Sequence, residues 1–406
     1  MEYKYIDIFA GCGGLSLGMY NSGWKGIFAI EKNSDAFETL NHNLMEEKNH
    51  FLWVEWLEKC NHDINEILIS NKKELEELSG KIPLVVGGPP CQGFSMAGQR
   101  KKNDIRNKLV HSYIEFIKII KPSCLFFENV HGFTVGFTNK KNEKTKPMST
   151  YIVEELKKIG YNIHSEVLDI SEYGVPQKRK RFILVGSLDL DPKDFFDVLK
   201  KKKESFLKEK KLPLKPSVKD AISDLQYANP KIKCLDSKGF LSGTYGKIES
   251  DYQTYMRYGL AENAQPDSHR FAKHKEKTIE LFLEMQKMCE YGKRLSTKNT
   301  DLEGFKRRGI TILIADKPCN TITSHPDDYL HYSEPRILTV RECARIQSFP
   351  DWYQFKGKYT TGGKLRKSDV PRYTQVGNAI PPLFAEQVGR ALIIFMRNNK
   401  NGESII

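Results

Sequence analysis

Apolar and polar residues follow two rhythms along the first 187 positions of the chain. Short apolar runs read as buried strands over Tyr5 to Phe9, Gly26 to Ile30, Leu84 to Val86 and Cys124 to Phe127. Between them, apolar residues recur three and four positions apart, the mark of helices with one buried face. That spacing predicts helices over Gly14 to Asn21, Ser34 to Met45, Leu109 to Ile120 and Ser149 to Ile159. Pro122 stops the third, and Gly160 suits the left-handed position that closes the fourth. Ile163 to Ile170 and Arg181 to Gly186 read as the last strands of this part. Strands alternating with helices predict an α/β fold, a mainly parallel sheet with helices on both faces.

The rhythm changes after Ser187. Residues 190 to 216 are dominated by lysine, with Lys200 to Lys203 an unbroken run that reads as a solvated helix face. Residues 217 to 315 show weaker periodicity. Regular structure is expected again at Val340 to Ser348, an amphipathic helix stopped by Pro350, and at Ala379 to Met396, an apolar helix opened by Pro381-Pro382. Gln375 to Asn378 reads as the turn before it. These changes divide the chain into 1–187, 188–315 and 316–406.

The 406 residues carry 64 Lys plus Arg against 51 Asp plus Glu, a formal charge of +13. Such a balance suits a polyanionic partner, most often nucleic acid. The cysteines, at 12, 60, 91, 124, 234, 289, 319 and 343, form no CxxC pair or zinc-like cluster, so free thiols and no metal are expected. The N-terminus has no signal-peptide pattern, and no apolar run reads as long enough for a membrane span. A soluble, cytoplasmic protein is therefore expected.

Candidate chemistry sits where the strands end. Gly87-Gly88-Pro89-Pro90-Cys91-Gln92-Gly93-Phe94-Ser95 places a thiol on a proline-stiffened turn after an apolar strand. Open α/β sheets build their sites at such strand ends. Asp7 to Gly14 is a strand running into a glycine turn and a helix, and Glu31 ends the next strand, where an acid can bond ribose hydroxyls. The glycines follow Gly-x-Gly-Gly, which suits a ribose-bearing ligand without phosphate, such as S-adenosylmethionine. Asp63 reads as the cap of a helix beginning at Ile64, or as a partner for an adenine amine. Glu128 closes an apolar strand, where desolvation favours a proton-holding carboxyl. Alternation puts Gln177, Arg179 and Arg181 on one face of a strand.

Taken in order, these motifs resemble the C5-cytosine DNA methyltransferase family. Pro-Cys, Glu-Asn-Val at Glu128 to Val130, Gln-x-Arg-x-Arg at Gln177 to Arg181 and Gln-x-Gly-Asn-x-x-Pro-Pro at Gln375 to Pro382 carry the likeness. Asp104 to Leu109 and Lys317 to Thr323 also look like family segments. The resemblance implies a class I S-adenosylmethionine-dependent methyltransferase domain, Rossmann-like, with a smaller inserted target recognition domain at 188–315. The last segment, 316–406, would return and complete the catalytic domain with its C-terminal helix.

By the same resemblance, Cys91 would add to C6 of cytosine, Glu128 would contact N3 and the exocyclic amine, and Arg179 and Arg181 would line the base pocket. Phe9, Gly11, Gly13, Glu31, Asp63, Ile64, Pro89, Leu109 and Asn378 would hold S-adenosyl-L-methionine. Ser95, Gln99, Arg100 and Gln177 would meet DNA. Lys32 stands where the family often has an aromatic that stacks on adenine, and His62 where it usually has glycine. The implied partner is double-stranded DNA bound by a monomer, and a cognate restriction endonuclease and a solitary role are both compatible with these residues. A tRNA cytosine methyltransferase, a catalytically silent DNA-binding relative and a nucleotide-dependent oxidoreductase remain as alternatives.

Overall fold

The computed structural model describes residues 3–90, 107–136, 146–297, 302, 305, 309–361 and 369–401. The chain forms two compact units. The first comprises Met1–Ile170, Lys180–Lys203 and Ala385–Ile406, and the second Ser171–Arg179 and Glu204–Phe384.

In the first unit the strands are β1 (Lys4–Ile8), β2 (Lys25–Ile30), β3 (Leu84–Gly87), β4 (Cys124–Val130) and β5 (Asn162–Asp169). A short β6 (Gln177–Lys178) precedes β7 (Lys180–Ser187). The helices begin with α1 (Gly14–Asn21), α2 (Ser34–Leu40), α3 (Ile64–Ser70) and α4 (Lys72–Glu77), and continue with α5 (Asn107–Ile120), α6 (Met148–Lys158) and α7 (Lys193–Glu209). The sheet has the order β2-β1-β3-β4-β7-β5, with β2, β1, β3 and β4 parallel and β7 antiparallel to both β4 and β5.

Adjacent residues of β4 show how the sheet is covered. The ring of Phe127 meets Tyr113 of α5, and that of Phe126 meets Phe195 of α7. Successive strand residues point to opposite faces, so α5 and α7 lie on opposite sides. On the α5 side, Ile6, Val85, Leu125 and Leu184 share a core with Val110, Ile114 and Ile117. On the other side Phe195 meets Phe395 of the C-terminal helix. That helix approaches α1 closely, since a Cβ on Gly18 would lie 2.3 Å from Ala385 Cβ.

The predicted elements recur with shifted ends. The helix from Ser34 is α-helical to Leu40 and then widens to a π-helical turn over Asn41–Glu46. Gly160 has φ 97°, and the N–H groups of Gly160 and Tyr161 bond Lys157 O and Leu156 O, the paired closure of a helix end. Lys200, Lys201 and Lys202 are exposed on α7 while Phe195, Phe196 and Leu199 are buried, so the lysine run is a solvated face.

The second unit is built from α8 (Val218–Ile222), α9 (Asp251–Met256), α10 (Glu276–Met288), α11 (Val340–Ile346) and α12 (Arg372–Asn378), with short strands between. β6 pairs in parallel with Cys319–Asn320. The α11 segment departs from expectation, because residues 340 to 348 are all buried rather than amphipathic. Gln375 to Asn378, read as a turn, belongs to α12. Gly377 stands there because a Cβ would lie 2.4 Å from Thr323 O.

The final helix, α13 (Pro382–Asn401), continues from the second unit into the first. The expectation about apolar length is corrected here. The stretch Arg372–Arg397 is long and apolar enough to cross a membrane by composition, with mean hydropathy 1.3, yet 72% of that window is buried inside the protein.

Candidate active site

Strands β1 to β4 end at one edge of the first unit's sheet, and the antiparallel β7 begins there. That edge gathers the turn after β1, Glu31 after β2, Pro89 after β3, Glu128 in β4 and Arg181 in β7.

The turn after β1 is bent by positive φ at Phe9 (63°), Gly11 (58°) and Gly13 (86°). Phe9 is the unusual member, since a residue with a side chain adopts this region uncommonly. A Cβ on Gly11 would meet nothing within 4 Å, so open space lies beside the turn. Glu31 faces it. Its Oε2 accepts from Gly11 N at 2.9 Å and its Oε1 from Asn33 N at 2.7 Å. Burial pushes the Glu31 carboxyl up, and the N–H groups of Asn33, Gly11 and Lys32 oppose that. Deeper in β1, Asp7 is buried and accepts from Ser16 Oγ. Burial holds its carboxyl at about 7 against the Ser16 bond, with Glu31 pushing the same way as burial. Burial, then Glu31, raises the Cys12 thiol to about 12, so it is inert. A carboxylate beside a glycine turn fits a ribose, whose hydroxyls donate to acceptors. The turn's neighbouring cation, Lys32, is paired to Asp63 at 2.7 Å.

Asp63 caps α3 through Asn65 N at 2.9 Å, and Ile64 is buried as the helix's first residue. Leu109 is half-buried on α5 against the core.

The other half of the edge is set by strand register. Val130 stands opposite Arg181, so Glu128, two residues earlier, is its diagonal neighbour on the same face. Arg181 Nε lies 2.7 Å from Glu128 Oε1, with the side chains 9% and 12% exposed. Burial lowers the Arg181 pKa against the pull of Glu128. It stays charged, as arginine does. Glu128 is therefore met by a guanidinium as well as by its apolar strand. A Cβ on Gly88 would lie 3.0 Å from Glu128 Oε2, so glycine gives the carboxylate its room. Asn129, buried, donates from Nδ2 to Pro89 O at 3.1 Å and accepts from Val130 N at 2.9 Å. Asn129 thereby ties the end of β4 to the proline turn, two residues before Cys91. Cys91, Ser95, Gln99 and Arg100 themselves lie outside the described residues.

Residues 3–393 match the model of the C-5 cytosine-specific DNA methylase family. The chain belongs to that family. This methylase is a DNA (cytosine-5-)-methyltransferase, of a family and fold that use S-adenosylmethionine. It is 30% identical to the Type II methyltransferase M.DdeI of Desulfomicrobium norvegicum over 97% of this chain and 89% of that one. It is 31% identical to M.PspPI of a Psychrobacter species over 97% and 79%. Among solved structures, a prophage-encoded protein described as a DNA modification methyltransferase (E. coli) aligns with TM-score 0.64 and 23% identity over 98% of this chain and all of that one. That likeness shows the fold, the class I methyltransferase α/β architecture.

Three expected site residues of the methylase lie in the second unit. Gln177, expected at DNA, is fully buried, its Nε2 donating to Gln347 Oε1 at 2.9 Å and its Oε1 accepting from Ile322 N at 2.7 Å. Both ends of its amide are engaged within the protein. Arg179 is buried likewise. It donates to the carbonyls of Ile322 (3.2 Å), Gly377 (2.9 Å) and Ala379 (3.1 Å), holding the end of α12. These bonds make both residues braces of the second unit. Asn378 closes α12 and is exposed. Asn129 was not among the expected site residues, although it lies inside the Glu128 to Val130 motif, and its place in that motif was the available signal.

Proposed function

We propose that this methylase transfers a methyl group to C5 of a cytosine flipped out of a specific duplex sequence, through a covalent bond between Cys91 Sγ and C6. The observation that carries the reading is the buried Glu128–Arg181 pair, with Asn129 tying its strand to Pro89 just before Cys91. The pair offers a carboxyl and a guanidinium to one edge of a pyrimidine, Glu128 accepting from the amine and, when protonated, donating to N3, and Arg181 donating to O2. Addition of the Cys91 thiolate at C6 raises electron density at C5, and a proton given by the Glu128 carboxyl to N3 neutralises the charge that this sends there. S-adenosylmethionine, when bound, supplies the electrophilic methyl group. Removal of the C5 proton by a base such as water then expels the thiolate, the N3 proton returns to Glu128, and the aromatic ring is restored. Flipping costs about a few kcal/mol, which contacts to the extruded base must offset.

The Glu31 edge, with Phe9, Gly11, Gly13, Asp63 and Ile64, would hold the adenosine part of the cofactor, and Pro89 and Leu109 of the same unit would complete that site. Segment 188–315 would read the target, and Ser95, Gln99 and Arg100 would contact the DNA. The Type II relatives suit a place in restriction–modification beside a cognate endonuclease, in the cytoplasm.

The test is a duplex in which 5-fluorocytosine replaces cytosine in the modified sequence. In the presence of cofactor the enzyme is expected to form an adduct stable to denaturation, because fluorine cannot leave as a proton does. Cys91→Ser should bind cofactor and DNA and form none. Absence of an adduct with the wild-type enzyme overturns the covalent mechanism. Methyl transfer to tRNA in place of duplex DNA overturns the substrate.

A further inference from the structure

The two oxygens of Asp63 have different occupants. Oδ1 accepts from the Asn65 backbone N–H and from Asn65 Nδ2, both at 2.9 Å. Oδ2 is taken by Lys32 Nζ at 2.7 Å. The backbone here is stapled, with His62 N bonded to Glu31 O at 2.8 Å and Asn61 Nδ2 to Lys32 O at 2.9 Å. Asp63 therefore stays beside Glu31, while the Lys32 side chain is 77% exposed and has a long stem that can swing. Hydrogen bonding to Asp63 holds the ammonium above its ordinary pKa. Burial raises the Asp63 carboxyl, but Lys32 and Asn65 outweigh it and hold it below its ordinary value.

We propose that Lys32 is a built-in competitor at the adenine end of the cofactor site, occupying the Asp63 oxygen that an exocyclic amine would use. The inference rests on the reading of Glu31 and Asp63 as cofactor ligands. With Oδ1 already accepting two bonds, an adenine amine has to meet Oδ2, where it shares with Lys32 an oxygen already drawn toward the ammonium and crowded by it. An exposed ion pair is weak, so the competition lowers cofactor affinity by about two- to fivefold rather than abolishing binding. Salt screens the pair, so part of the loss is recovered as ionic strength rises. Lys32 thus sets affinity at a position where an aromatic would add stacking and leave Asp63 open.

The experiment is calorimetric binding of S-adenosylmethionine and of S-adenosylhomocysteine, which lacks the sulfonium charge, to wild type, Lys32→Ala and Glu31→Ala, with thermal melts checking that each variant folds. Lys32→Ala is expected to bind both ligands about two- to fivefold tighter and to lose the part of the salt dependence that wild type shows with S-adenosylhomocysteine. Unchanged or weaker binding by Lys32→Ala overturns the proposal, and so does a gain confined to S-adenosylmethionine, which would be charge repulsion alone. Wild-type affinity in Glu31→Ala overturns the underlying cofactor reading instead. Loss of binding there with no effect of Lys32→Ala leaves that reading standing and removes the competitor.

Discussion

The sheet edge of the first unit and the α11 region of the second bury the same kinds of charged side chain and use them in opposite ways. At the edge, burial outweighs the partners of two carboxyls and holds both above their ordinary values, although Asp7 bonds a hydroxyl and Glu31 bonds backbone N–H groups. Around α11 the buried arginines are matched by carboxylates. All five N–H donors of Arg345 are engaged, by Asp351 Oδ1 and Oδ2, by Asp224 Oδ1 and Oδ2, and by Ala221 O. Arg336 likewise forks onto Glu342, whose carboxyl it pulls down to about 2 against burial. Buried charge that is fully paired fixes a scaffold, while buried charge left short of partners is ready for a ligand.

The largest effect should come from breaking the complete network. Arg345→Met leaves Asp224 and Asp351 buried and facing one another without their shared cation. Removing one member of a buried pair costs about 3–5 kcal/mol. A urea titration should show the midpoint falling accordingly. Arg345→Lys should recover part of the loss and not all of it, because an ammonium cannot fork onto two carboxylates. Equal stability of the Lys variant and wild type would contradict the view that fork geometry matters here.

A smaller effect is expected where the edge meets the proline turn. Asn129→Asp keeps the shape of the side chain but cannot donate to Pro89 O, and Asn129→Ala removes it. A buried carbonyl left without its donor costs about 1–3 kcal/mol. If that bond positions the approach to Cys91, kcat falls about 10- to 100-fold in both variants while cofactor affinity holds. A change confined to thermal stability, with kcat intact, would make Asn129 structural only.

The contrast also explains what could be read in the sequence. The edge was legible because its parts are local. Strand ends, the Gly11 turn and the Pro89-Pro90 turn declare themselves within a few residues, and Glu31 sits at the distance expected of a second strand. Asn129 was visible in the same motif, but its partner Pro89 lies 40 residues away. The α11 network was illegible because its acids come from afar. Asp224 is 121 residues from Arg345 and Asp267 is 74 from Arg341. Read locally, Arg341 and Arg345 belonged to the wet face of an amphipathic helix. Gln177 failed for the same reason, since Gln347, 170 residues on, buries it. Polar residues whose partners are distant look like surface to a local reading.

The smallest effect concerns Asp7 and tests the claim of undercompensation directly. Its carboxyl titrates near 3.8 when exposed and at about 7 when folded. Between those values the native state keeps a proton that the unfolded chain has lost, so this residue's contribution to stability falls as pH rises across the window. Asp7→Asn retains an oxygen to accept from Ser16 and has no charge to bury. The variant should therefore gain on wild type as pH rises from about 5 to 8, by about 1–2 kcal/mol. Buried histidines such as His50, whose ring is held at about 3, change stability in the opposite direction as acid is added. The quantity to measure is thus the difference in denaturation midpoint between the two proteins at each pH, in which the histidines cancel. A difference that does not move with pH would mean that Ser16 already compensates Asp7, and the edge would then resemble α11 after all.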